Sequence, residues 1–170
     1  ANDHPSKTVP IPVTEICLAE FAQKHNIKLG YWSMRGMSAL NGSIDQIKAK
    51  VLEVKPLIEK NEPIFFSKGL LNMNQDNYQK LDEAKRKLYD ECAMMFCLLI
   101  RKEFGQDVYI KFMKATSEGD PEAAVKSVLG FKDYAALDAT FKRYMFDLTR
   151  DVAASKTPDH YLQIREKIIK

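Results

Sequence analysis

Three histidines, His4, His25 and His160, and three cysteines, Cys17, Cys92 and Cys97, are the side chains of this sequence best suited to holding a metal ion or attacking a substrate. Their spacing serves neither purpose. Zinc bound by one helix needs two imidazoles four residues apart, so that both face the same ion, and no H-x-x-x-H occurs in any register. No C-x-x-C occurs either, and an odd number of thiols cannot all pair, so free, buried cysteines are the expectation. Cys92 and Cys97 stand five apart in a helical pattern, on different faces, which disfavours a bridge between them. A nucleophilic Cys17 needs a base within reach. His25 lies eight residues on, more than two turns or about 12 Å along a helix axis, so the two would not meet within one helix. His25, beside Lys24 and Asn26, fits a cation at a helix end, and His4 and His160 fit the surface.

Composition narrows the classes. A chain of 170 residues is the size of one domain, which can bury roughly 70% of the surface its unfolded form exposes without a metal or disulfide staple. Hydrophobic residues at 45% and charged residues at 29% are the balance of an ordinary globular protein. No apolar run approaches the ~20 residues of a membrane-spanning helix. The 26 basic and 23 acidic side chains are spread along the chain. The one dense basic patch, Lys85-Arg86-Lys87, is flanked by Asp82, Glu83, Asp90 and Glu91. It reads as a solvated helix face with ion pairs one turn apart, and nucleic acid is not an expected partner. The start at Ala1 without a hydrophobic signal core fits a processed, exported chain, periplasmic or envelope-side, and equally a trimmed one.

The elements that must position any site are helical. Residues 1–12, with Pro5, Pro10 and Pro12, read as an extended segment; residues 13–150 read as the helical domain; and 151–170 as a C-terminal helix or tail. The periodicity predicts a short, mostly buried helix from Val13 to His25 ended by Asn26, and a second from Tyr31 to Leu40 before Asn41-Gly42. A third starts at Ser43 or Asp45, with Pro56 expected to end or kink it at Lys55. Asn61 to Gln75 reads as a loop with an apolar middle. A long helix is expected from Asn77 to Phe104, stopped by Gly105, with its second half central to the core because polarity disappears after Glu91. Further helices follow over Asp107 to Thr116, from Asp120-Pro121 to Leu129-Gly130, and over Asp133 to Thr149, with a last apolar helix after Pro158. The fold class is mostly α, compact, with no substantial sheet.

Two segments carry a resemblance. Val9-Pro10-Ile11-Pro12-Val13-Thr14-Glu15-Ile16-Cys17-Leu18-Ala19-Glu20-Phe21 is similar to the metal-site helix of the peptidase-MA-like zincins of the gluzincin type, and Trp32-Ser33-Met34-Arg35-Gly36-Met37-Ser38-Ala39-Leu40 resembles the second helix of that family, which carries W-x-x-E-G-x-A. The segments Leu88-Tyr89-Asp90-Glu91-Cys92, Phe104-Gly105 and 123–131 follow in the family's order, so the resemblance covers about Val9 to Leu148. In such peptidases the H-E-x-x-H histidines and a downstream glutamate hold zinc, and the glutamate of the motif activates water. The resemblance places Ile11 and Glu15 at the histidine positions, Pro12 at the general base and Arg35 at the glutamate ligand. Pro12 cannot accept a proton, and Arg35 brings positive charge where a metal would sit.

The resemblance therefore implies the helical part of a zincin with no catalytic residue, no metal and no cofactor. The expected function is protein binding, assembly or structural support, with a protein partner, a larger complex or a second copy of the chain as the occupant. The alternatives are a subunit or fragment of an active peptidase, and an enzyme of unrelated chemistry at the vacated cleft. Glu15 and Arg35 are candidates for an ion pair across that cleft, with solvation of both as the plainer reading. Tyr31 and Trp32 read first as packing anchors. Together with Phe65, Phe66, Tyr161 and Ile164 they are also the candidate interaction residues.

Overall fold

The computed structural model describes residues 11–154, with side chains from Ile16 onward. The segment 1–10 and the expected C-terminal helix, with Tyr161 and Ile164, lie outside the described residues. Within them every regular element is a helix: α1 (Ile11–His25), α2 (Tyr31–Ala39), α3 (Ile44–Glu59), α4 (Ser67–Leu71), α5 (Gln75–Gln79), α6 (Glu83–Glu118), α7 (Pro121–Ser127) and α8 (Tyr134–Ala153).

Local chemistry explains most of the boundaries. Ser43 caps α3 in a reciprocal box, its hydroxyl accepting from the Gln46 N–H while the Gln46 side chain accepts from the Ser43 N–H. Asn74, Asp82, Asp120 and Asp133 cap α5, α6, α7 and α8 through their side-chain oxygens. Asn26 and Asn61 adopt left-handed backbone, φ 49° and 55°, just beyond α1 and α3. There the Ile27 and Glu62 N–H groups reach back to the carbonyls of Ala22 and Leu57, closing each helix end. Gly105, with φ 80° and ψ 177°, interrupts α6 and splits it into 83–104 and 106–118, as its position after Phe104 led us to expect.

Four expectations need correction. α1 starts at Ile11, two residues early, because a proline is tolerated in a first helical turn, where N–H groups have no helical partner. Pro56 does not end α3, which runs on to Glu59: Pro56 and Leu52 both lie on the exposed face, so the carbonyl freed there meets water, while Val54 and Ile58 anchor the turn from the buried side. The long helix does not start at Asn77, since Asn74 caps a separate short helix and Asp82 restarts the chain as α6. Finally, α1 is mostly exposed rather than buried. It packs chiefly against α2, leaving Ile16 57% exposed and Cys17 exposed, with Leu18 its buried anchor.

The centre is the run from Cys92 to Ile100, every residue of which is buried. α2 lies along α6 in the most extensive helix contact, and α3 lies along α8. The α2 to α6 approach is close because residue 36 is glycine: a Cβ there would stand 2.6 Å from the Ala93 carbonyl oxygen and 2.6 Å from the Cys97 sulfur. Trp32 fills the adjacent space at 1% exposure, edge-on to Phe96, its indole N–H donating to the Thr116 hydroxyl at 3.2 Å. The loop 61–74 folds inward around α4. Leu70 and Leu71 are buried, and the Ser67 N–H donates to Asp138 of α8 at 2.8 Å.

Candidate functional site

Helix α1 places Ile11, Pro12 and Glu15 within its first turns, with Ile11 and Glu15 one turn apart. Helix α2 places Arg35, whose side chain is one-third exposed, opposite α6. The side chain of Glu15, the candidate partner of Arg35, lies outside the described residues; among those described, the Arg35 guanidinium faces Asp90. Nε donates to Oδ1 at 2.8 Å, and Nη2 pairs with Oδ2. The same Nη2 donates to the Tyr78 hydroxyl at 2.8 Å, and that hydroxyl donates back to the Asp90 carboxylate at 3.0 Å. The guanidinium carbon also lies 4.8 Å from the centre of the Tyr78 ring.

This triangle is closed, because cation, carboxylate and phenol satisfy one another. The bond to Asp90 holds the Arg35 guanidinium more firmly protonated than usual. Burial, reinforced by Asp90, pushes the Tyr78 hydroxyl up to about 12, and burial also raises Tyr31. Around the triangle stands an aromatic group. Tyr31 packs 5.2 Å from Tyr78, Tyr78 lies 5.6 Å from Tyr89, and Phe65 lies 5.3 Å from Tyr89.

A second charged cluster adjoins it on α6 and α3. Glu91 is 5% exposed, and burial together with the neighbouring Glu53 carboxylate raises its pKa to about 7. Glu53 moves the other way because Lys87 is hydrogen-bonded to it. Lys50, lowered by burial, donates to the Ala39 carbonyl at 2.6 Å. The Glu91 carboxyl is hydrogen-bonded to Glu53, and its Oε1 has no partner among the described residues. Such a carboxyl can take up or release a proton near neutrality. Lys85 pairs with Asp82 and Lys87 with Glu53, in keeping with a basic patch neutralised by its neighbours.

The candidate interaction residues separate in space. Trp32 is core, so its reading as a docking residue is corrected by its burial. Tyr31, Phe65 and Phe66 are half-buried and pack on the core rather than standing exposed, because the loop that bears the two phenylalanines is held inward by Ser67 and Leu70. Among the described residues the exposed large apolar side chains are instead Ile16, Met34, Leu52 and Phe146. The thiols also divide. Cys92 and Cys97 are free and buried as expected, whereas Cys17 is exposed, because α1 turns that face away from α2. His25 packs against Phe21, ring centroids 4.7 Å apart and planes tilted by 55°.

Asp90 and Tyr78 as partners of Arg35, and Glu53 as partner of Glu91, were not legible in the sequence. A faint signal existed in Asp90 and Glu91, two acids immediately before a run of apolar residues. Comparison of the chain with protein-family models, with curated proteins and with solved structures gives no match.

Proposed function

We propose that the chain is a noncatalytic, metal-free helical module of zincin-like descent that acts by binding a protein partner. The observation that carries this reading is the state of Arg35. At the position where the resemblance puts a ligand glutamate stands a guanidinium whose donors are committed to Asp90 and Tyr78. That arrangement has the wrong charge for a cation and serves instead as a tie between α2 and α6. Pro12, at the general-base position, has no group that takes a proton. The binding role is supported by Ile16 of α1 and Met34 of α2, apolar side chains that the core does not use.

Zinc uptake by a restored site tests the reading. The parent chain is expected to retain less than about a tenth of an equivalent of zinc after dialysis, with no thermal shift on adding the metal. The variant carrying Ile11→His, Pro12→Glu, Glu15→His, Arg35→Glu and Asp90→Asn, the last to remove a carboxylate left without its cation, is expected to bind one zinc per chain. A variant with native helicity and no zinc overturns the zincin descent. A parent chain that holds a full equivalent overturns the metal-free reading.

A further inference from the structure

The buried run of α6 does not stop at Ile100; Arg101 continues it, at 8% exposure. Among the described residues its guanidinium has no ion-pair or hydrogen-bond partner, and Nη1 is buried. Among the described residues its electrostatic neighbours are Tyr109, whose ring centre lies 5.5 Å from the guanidinium carbon, and Cys97. Neither offers a negative charge, since burial and mutual proximity hold the Tyr109 hydroxyl well above its ordinary range and burial pushes the Cys97 thiol up to about 12.

Two more buried polar atoms in the same stretch have no well-formed hydrogen bond among the described residues, the Tyr109 hydroxyl, which has only the weakly accepting Cys97 thiol beside it, and Gln106 Oε1. Arg101 precedes the bend at Gly105 and Tyr109 follows it, with the ring against the guanidinium; Gln106 stands three residues before Tyr109, on the same helix face. An unpaired buried guanidinium is among the costlier features a core can carry, and one beside two unsatisfied polar groups is costlier still. The carbonyl end of helix 83–104 offsets part of that charge, yet no carbonyl bonds Nη1.

We propose that Arg101, Tyr109 and Gln106 form a binding site for one small oxyanion, a carboxylate or a phosphoryl group. The guanidinium supplies charge and paired donors, the phenol a third donor, and the Gln106 amide, turned about its last bond, a fourth through Nε2. The site is separate from the Arg35 triangle, whose guanidinium is already occupied.

Thermal melting of the full chain in sodium phosphate or sodium acetate, each against sodium chloride of equal ionic strength, provides the test. With a Kd near 1 mM, about 50 mM of the preferred anion raises the Tm by roughly 5 °C or more, in a saturable way. A larger response to phosphate assigns a phosphoryl ligand, and a larger response to acetate a carboxylate. Arg101→Met is expected to melt above the parent in chloride, because an unpaired buried charge is gone, and to lose the anion response. Tyr109→Phe, which keeps the ring, is expected to weaken that response several-fold and serves if the first variant does not fold. A parent Tm that follows ionic strength alone, an Arg101→Met variant that keeps the anion response, or a Tyr109→Phe variant indistinguishable from the parent overturns the site.

Discussion

Arg35 and Asp90, 55 residues apart in the chain, are joined through both donor positions of the guanidinium edge and both carboxylate oxygens, with the Tyr78 hydroxyl bridging the pair. Bidentate geometry and partial burial distinguish this contact from the surface pairs of the molecule, such as Lys55 with Glu59 or Lys126 with Glu122.

Breaking it from one side should therefore cost more than a surface pair does. Arg35→Met is expected to destabilise the fold by about 1–3 kcal/mol, since Asp90 and Tyr78 then share a half-buried negative charge without its cation. Urea unfolding of Arg35→Met, Asp90→Asn and the double variant should give a coupling energy of about 1 kcal/mol or more. A coupling near zero would reduce the contact to a solvated surface pair.

Glu91 makes stability depend on pH. Its folded-state value, about 7, lies above the ordinary 4.5, so between those limits the folded protein binds more protons than the unfolded one. The stability is fully present below about 4.5 and is lost as the pH rises through 7. The surrounding groups that set the window are Glu53, Lys87 and Lys50. Melting temperatures at pH 5, 6, 7 and 8 should fall across this range in the parent. In Glu91→Gln the fall should be reduced, and the variant should melt above the parent at pH 8. A parallel fall in both would assign the dependence to other groups.

Gly36 marks the closest approach of α2 to α6. Gly36→Ala is expected to destabilise by about 1–3 kcal/mol, because the new methyl meets both the Ala93 carbonyl and the Cys97 sulfur at 2.6 Å. Adding Cys97→Ala should recover only part of the loss, since the carbonyl belongs to the backbone and cannot turn aside. Full recovery in the double variant, read by denaturant midpoint, would place the clash on the sulfur alone.

The three thiols should react in two classes. Burial pushes Cys92 and Cys97 up to about 12, while Cys17 is exposed. A disulfide reagent at pH 8 should label one thiol per native chain promptly and the other two only on unfolding. Cys17→Ser should abolish the prompt phase. Prompt labelling of two or three thiols would mean that the core around α6 opens readily.

What the sequence determined by itself is local. The helical class, the stops at Asn26, Gly105 and Gly130, the caps at Ser43, Asp120 and Asp133, and the apolar run after Glu91 depend on backbone preference, capping chemistry and the 3.6-residue period, all of which act within a turn or two. Pro56 and Asn77 show the limit of such signals. A proline was compatible with helix because its missing bond falls on the wet face, and Asn77 lay between two competing caps, Asn74 and Asp82. Which helix faces meet was decided only by tertiary packing. That packing gave Arg35 to Asp90, set Glu91 beside Glu53, turned Ile16 and Cys17 outward and left Arg101 buried without a counter-charge among the described residues. A charge's partner and its dielectric surroundings are properties of the assembled core, and no spacing along a single chain encodes them directly.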